Sequence, residues 1–466
     1  MRCARSLVLV LSMACLVSPL LAVDPDDPPT DCRYLHVVDP CQGELLVFDR
    51  GESIERHNIP LSSGPPGIYE PNGVDFATVP ENRATFSFVT QGPYLRVIDH
   101  NRLQPWRTID VDLQLGVDGM YMTKIEAGPA VDIDGETAYP LYITGRLTHP
   151  GYSEPVVVVL DQEALLADEL NLSQVLIATV PVCTDGIECL GTGLDIAVGA
   201  ALSGGDVRQQ AYVSVLNMPS DGTKRHRFYR IDWGTDGVFQ VGLNPVNDEG
   251  VPFDGLGHRS IGLDYDESGQ RPFGVFKTLG VVSDLLDGTA TCPIVGDATD
   301  IEVWGPGTDG PASRIHFVTS LAAGGDVLLA FPEGECPDGD GDDLEIPVGD
   351  FPRALAIESS DEGEIWIYTA NKDHGISAIR IRIGADGSLT LEETIDIPFG
   401  GCPSDVTFRD PDLDTCDPFD IEPSHSEPDG PEPPDPCPPG STDPACIPDC
   451  PDGGCQIQIL PRGMGF

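Results

Sequence analysis

Residues 353–398 read RALAIESSDEGEIWIYTANKDHGISAIRIRIGADGSLTLEETIDIP. Four strand-like runs stand out in them: RALAIE from Arg353, IWIYTAN from Ile365, AIRIRI from Ala378 and LTLEETIDI from Leu389, with Gly, Asp and Ser in the breaks. Their alternation has a period of two, and nothing here repeats at the 3.6-residue spacing of a helix. Four successive runs joined by short turns make an antiparallel meander, and its apolar faces must be covered by something else.

In both directions the same order recurs at a roughly fixed period, the signature of a repeat architecture. The first run of each unit is an apolar-x-apolar triplet, usually with Asp in the middle. It returns as GVDFATV from Gly73, AVDIDG from Ala130, GLDIAVG from Gly193, IGLDYD from Ile261, ATDIEVW from Ala298, RALAIE from Arg353 and SDVTF from Ser404. Second and third runs follow the first six of these, as in FSFVT from Phe86 and YLRVID from Tyr94. The seventh lacks both, and the missing partners stand at the other end of the chain as YLHVVD from Tyr34 and ELLVFD from Glu44. The expected fold is therefore an all-β, seven-bladed β-propeller over residues 34–409, its ring closed by strands from both termini, which leaves no unpaired edge at the seam. One helix is expected in QEALLADEL from Gln162.

The segment from Val348 to Ile383, VGDFPRALAIE then IWIYTAN then ISAIRIRI, resembles the YVTN-type propeller repeat family. That resemblance implies a propeller, and it points to a family of lactonase-like enzymes and exported binding proteins. It is good over this blade and extends to the other units in strand order more than in residues.

The flanks differ in kind. Arg2 and Arg5 precede an apolar stretch from Leu7 to Val17, and Ala22 offers a cleavage site, so residues 1–22 read as a signal peptide and 23–33 as a linker. Ser18 and Pro19 interrupt that stretch before it is long enough to span a membrane. Lipidation at Cys15 is the weaker alternative, because Ser12 and Met13 suit such processing poorly. Residues 410–466 hold 14 of the chain's 44 prolines and a single basic residue, Arg462, and form an acidic Pro/Cys-rich tail that cannot build a core.

A formal charge of −50, from 76 acidic against 26 basic residues, repels nucleic acid and anionic lipid and suits a high-salt or calcium-rich exterior. Twelve cysteines remain once Cys3 and Cys15 leave with the signal, an even number that favours disulfides in an exported chain. Cys32 and Cys41 flank the strand YLHVVD, and nine residues at about 3.3 Å each hold them up to roughly 30 Å apart. A disulfide needs about 7 Å between Cα atoms. The antiparallel seam instead brings Cys41 to Cys402 and Cys32 to Cys416. Cys183 with Cys189 would clip a loop, and Cys292 with Cys336 would tie neighbouring blades.

Three groups of residues are candidates for chemistry. The repeated Asp of the first strands falls at Asp75, Asp132, Asp195, Asp264, Asp300 and Asp405, with Ala356 in the remaining unit. These carboxylates are expected to accept hydrogen bonds from the adjacent blade, the alternative being a calcium ion gathered on the axis. CPDGDGDDLE from Cys336 alternates Asp and Gly as calcium loops do, with Asp338, Asp340 and Asp342 as ligands, although Asp343 and Gly349 break an EF-hand pattern. Lys124, His258, Arg259 and Arg353 are placed near the channel rim as anion contacts. GxSxG, HExxH and P-loop motifs are absent. GPGTDG from Gly305 runs into Pro311 and a strand where a dinucleotide site needs a helix. Asn171 with Ser173 is a glycosylation sequon, of use only in a eukaryotic host. The reading is an exported or cell-envelope binding or scaffold propeller, monomeric, meeting a protein or glycan at the cell surface. The alternative is a lactonase-like hydrolase with its site at the channel mouth.

Overall fold

Apolar residues on both faces of so many short strands require every sheet to be covered on two sides, and the computed structural model meets this with seven four-stranded antiparallel sheets among its described residues. Those residues are 34–49, 55–61, 69–80, 86–100, 102–133, 135–182, 191–200, 207–217, 225–243, 260–266, 271–276, 281–286, 291–294, 296–305, 314–321, 325–333, 336–337, 343–359, 364–372, 375–384 and 387–408. The chain divides into two compact units, Met1–Cys416 and Asp417–Phe466, and all described residues lie in the first.

The strands β1 (Tyr34–Asp39), β2 (Glu44–Asp49) and β3 (Glu55–Pro60) open a sheet that the far end of the chain completes. β4 (Pro71–Phe76), β5 (Phe86–Gln91), β6 (Tyr94–Asp99) and β7 (Gln104–Asp110) pair in that order. Helix α1 (Val111–Leu115) leads into β8 (Met120–Ala127), and a hairpin of β9 (Val131–Ile133) and β10 (Glu136–Ala138) follows. β11 (Pro140–His149), β12 (Tyr152–Asp161) and β13 (Leu176–Pro181) then join β8 in the order β8-β11-β12-β13. Helices α2 (Gln162–Leu166) and α3 (Leu172–Val175) fill the link between β12 and β13.

Four regular meanders come next. The first is β14 (Gly191–Ala200), β15 (Val207–Asn217), β16 (Arg225–Gly234) and β17 (Phe239–Leu243). The second is β18 (Ser260–Asp266), β19 (Arg271–Phe276), β20 (Val281–Asp284) and β21 (Thr291–Pro293). The third is β22 (Asp297–Trp304), β23 (Ile315–Leu321), β24 (Val327–Pro332) and β25 (Leu344–Pro347). The fourth is β26 (Pro352–Ser359), β27 (Glu364–Asn371), β28 (Gly375–Ile383) and β29 (Leu389–Pro398). Last, β30 (Asp405–Phe408) pairs antiparallel with β1, Leu35 opposite Phe408 and Val38 opposite Asp405, to give the order β3-β2-β1-β30.

The leading strand of each sheet lies against that of the next: β4 on β8, β8 on β14, β14 on β18, β18 on β22, β22 on β26, β26 on β30, and β30 on β4. Apolar clusters fill the spaces between neighbouring sheets. Val47 and Ile59 meet Val74 and Val89, for example, and Tyr212 and Phe228 meet Leu263 and Phe276. Ala356 and Tyr368 of the β26–β29 sheet meet Leu35 and Val37 of the sheet that β30 completes. Strands covered on both sides lose their polar face, and all six residues of β5 (FSFVTQ) are buried. Each fully buried Val, Leu, Ile or Phe contributes about 1.5–3 kcal/mol, and most of that burial needs the neighbouring sheet to be in place.

Close approach of the leading strands explains the glycine that precedes several of the repeated aspartates. A Cβ on Gly262 would lie 2.7 Å from Asp300 Cα, and one on Gly73 would lie 3.0 Å from Lys124 Cα. Backbone occupies the space, so no side chain can.

Two expectations need correction. The first strand of the unit assigned to AVDIDG is β8, MYMTKIEA, whereas Asp132 sits exposed in the β9–β10 hairpin, where it accepts a hydrogen bond from Gly135 N–H at 2.8 Å. The helix expected from Gln162 is the five-residue α2, because Asp161 caps its start and Ala167 already has extended backbone.

Two disulfides hold the described residues. Cys41–Cys402 joins the β1–β2 turn to the loop before β30 with 5.6 Å between Cα atoms. Asp39 Oδ1 gathers that junction by accepting from Cys41 N–H at 3.0 Å and Cys402 N–H at 3.1 Å. Cys292–Cys336 ties β21 to the segment after β24, with Cα atoms 5.0 Å apart. Cys32, Cys416, Cys183 and Cys189 lie outside the described residues.

Candidate functional site

The leading strands enclose a cavity of about 180 Å³. Seven carboxylates line it, Asp75, Glu126, Asp195, Asp264, Asp300, Glu302 and Asp405, together with the single cation Lys124. Six strands supply them: β4, β8, β14, β18, β22 and β30.

Five of the aspartates act first as clasps between sheets. Val74 N–H donates to Asp405 Oδ2 at 2.9 Å, and Ala127 N–H to Asp75 Oδ2 at 2.6 Å. Leu263 N–H donates to Asp195 Oδ2 at 2.7 Å, Val303 N–H to Asp264 Oδ2 at 2.6 Å, and Leu355 N–H to Asp300 Oδ2 at 2.8 Å. In every case the donor belongs to the next sheet. A strand meeting its neighbour at an angle leaves backbone N–H groups without a ladder partner, and a buried N–H must be satisfied. The recurrent Asp supplies the acceptor.

The electrostatics follow from burying so many acids together. Burial, with a smaller push from the Asp405 carboxylate, raises Asp75 to about 7 despite the hydrogen bonds it accepts from Ala127 and Phe76. Burial likewise pushes Asp195 up to about 6, with Lys124 pulling the other way. Glu126, Asp300 and Glu302 are held well above the ordinary carboxylate range by burial and then, for the two glutamates, by neighbouring carboxylates. Burial works to lower the Lys124 ammonium, but Asp405, Asp195 and Asp300 outweigh it and hold it above its ordinary value. Its Nζ donates to Asp405 Oδ1.

This arrangement sorts the expected site residues. Lys124 lies within β8 and lines the cavity. Arg353 is exposed on β26 and does not line the cavity, so the structure does not bring it to Lys124. His258 and Arg259 fall outside the described residues, as do Asp338, Asp340 and Asp342 of the candidate calcium turn. Glu126 and Glu302 were not singled out from sequence, yet the signal was present. Each stands two residues beyond another cavity residue, Lys124 or Asp300, and strand alternation turns both to one face.

No family model matches the chain, and no curated protein matches it. Among solved structures it is similar to dihydro-heme d1 dehydrogenase NirN in complex with DHE, at 12% identity, covering 83% of this chain and 77% of that one, with a TM-score of 0.42. Among the described residues no helix is long and apolar enough to cross a membrane.

Proposed function

We propose that the seven sheets are the blades of a closed seven-bladed propeller, exported to the cell envelope or beyond, that binds or displays and does not catalyse. The β1–β30 pairing and the unbroken succession of leading-strand contacts support closure. The two disulfides and the signal-like residues 1–22 support export. The acidic tail then serves as a spacer or docking segment, and the partner is a protein or glycan at the cell surface.

One observation carries the choice of binding over hydrolysis. Lys124, the cation best placed to polarise a lactone carbonyl, is bonded to Asp405 inside a ring of carboxylates. The oxyanion of an acyl-transfer transition state needs donors aimed at it in a site of opposite potential. A cavity of this sign repels it. Purified full-length chain assayed on a panel of simple lactones is expected to show no turnover above the Lys124→Ala and Arg353→Ala variants. Turnover abolished by either change would establish the hydrolase instead.

A further inference from the structure

The disulfide that ties the two ends of the chain sits within reach of solvent. Cys41 is exposed in the turn between β1 and β2, and Cys402 is half-buried. Exchange begins when a thiolate attacks one sulfur and the S–S electron pair leaves on the other. Burial alone does not protect this bond from a small thiol.

A buried acid stands beside it. An oxygen of Asp39 and the two sulfurs all lie within 4.8 Å of one another. Asp39 is 0% exposed, and among the described residues it makes no ion pair. Its Oδ1 accepts from the N–H groups of Cys41, Gln42 and Cys402 at 3.0, 3.3 and 3.1 Å, whereas its buried Oδ2 has no hydrogen-bond partner. A Cβ on Gly401 would lie 1.8 Å from Oδ2, so the carboxylate fills the space that a side chain there would take. Holding the turn needs only the first oxygen, and an asparagine or serine would accept from the same N–H groups. The second oxygen completes a charge that the turn does not use.

We propose that Asp39 shields the seam disulfide from anionic thiols. Reduction brings negative charge to the sulfurs twice. A thiolate of the reductant bonds to one cysteine while the other leaves as a thiolate, and a second thiolate of the reductant then displaces the first cysteine. The reductant ends as its own disulfide, having given two electrons, and solvent supplies the protons for the two cysteines. Asp39 takes up neither electron nor proton, but it repels both the incoming and the departing thiolate, and a fully buried carboxylate is screened less than a surface one. A thiol with a further negative charge is therefore disfavoured most, and one that carries an ammonium group least. This inference goes beyond the binding reading, because it concerns what keeps the chain's ends together whatever the chain binds.

The test compares the folded full chain with its Asp39→Asn variant, which keeps an acceptor for the turn. Each is reduced with mercaptoethanesulfonate, mercaptoethanol or cysteamine in about 0.15 M NaCl, where distant surface charges are largely screened. Alkylation and peptide mapping of each time point read Cys41–Cys402 and Cys292–Cys336 separately, so the second bond serves as a reference within the same molecule. At Cys41–Cys402 the variant is expected to react about tenfold faster with the sulfonate, several-fold faster with mercaptoethanol and least changed with cysteamine. Rates at Cys292–Cys336 should be the same in both chains. Equal acceleration by all three thiols would mean that the substitution merely loosened the turn, and it would overturn the proposal, as would no acceleration at all. Melting of the oxidised variant checks that it folds. Asp39→Ser, which also keeps an acceptor, takes its place if it does not, with the same order of thiols expected. Lactone turnover would sink the binding function without touching these rates.

Discussion

Gly262 and Glu126 show the two constraints that the crowded centre imposes on single residues. At Gly262 the constraint is steric, because an added methyl would press on Asp300 Cα at 2.7 Å and Ile301 N at 2.9 Å, both backbone. Gly262→Ala is expected to cost about 1–3 kcal/mol, as overpacking does. Gly242→Ala, in the exposed part of β17 with nothing within 4 Å of its new methyl, should be neutral or slightly stabilising. Denaturant midpoints of the two variants measure the difference. At Glu126 the constraint is electrostatic. A carboxyl group raised on folding favours the folded state below its unfolded pKa, and that stability is lost as pH rises through the folded value. Asp75 and Asp195 place the loss near pH 6–7, and Glu126, Asp300 and Glu302 act in the same direction. Lys124, raised as a base, keeps its stabilising charge throughout that window. Melting temperature in chelator should therefore fall between about pH 5 and pH 8, and the Glu126→Gln/Glu302→Gln variant should fall less steeply. Equal slopes would mean that the surface acids govern the response.

The leading strands show how far sequence pattern carries and where it stops. Six of the seven are legible in the sequence; in four of them, β4, β14, β18 and β22, a glycine or alanine two residues before an Asp marks the place where a neighbour's backbone comes close and offers an N–H, whereas β26 and β30 show only in the order of the strands. The second sheet broke the pattern: its leading strand β8 has Lys124 and Glu126 facing the cavity, and the AVDIDG motif just downstream mimics the signal. A sequence cannot separate an Asp that clasps an adjacent sheet from one that closes its own turn, since both are polar groups between apolar ones. Asp264 and Asp132 represent the two cases. Asp264→Ala orphans the Val303 and Tyr265 N–H groups, now bonded at 2.6 and 2.7 Å, and should cost about 1–3 kcal/mol. Asp132→Ala removes one exposed turn contact and should stay within about 0.5 kcal/mol. Comparable losses in urea unfolding would restore Asp132 to the repeat. The cavity itself was legible only in part, because its charge depends on which strand face turns inward around six strands at once.

The proposed closure of the ring rests on the four-residue strand β30, which is short for the work it does. It pairs with β1 through Leu35, His36, Val37 and Val38, contacts β26 and β4, and carries Asp405, the acceptor for both Val74 N–H and Lys124. So few backbone hydrogen bonds would let β1 peel away by local opening long before the rest of the protein unfolds. Cys41–Cys402, 361 residues apart in sequence, opposes that opening. The chain-entropy model assigns a loop of this length about 5–6 kcal/mol, reduced by whatever structure the unfolded chain retains. Because the bond sits at the seam, its loss should be felt there first. In Cys402→Ser, amides of β1 and β30 are expected to exchange at least tenfold faster than in the parent, while those of β11 and β12, in the second sheet along from the seam, change little. Unequal exchange is the mark of a ring that opens at its junction. If β1 exchanges no faster than β11 in the variant, the termini are not the weak point, and the closure of the ring by its two ends would have to be abandoned.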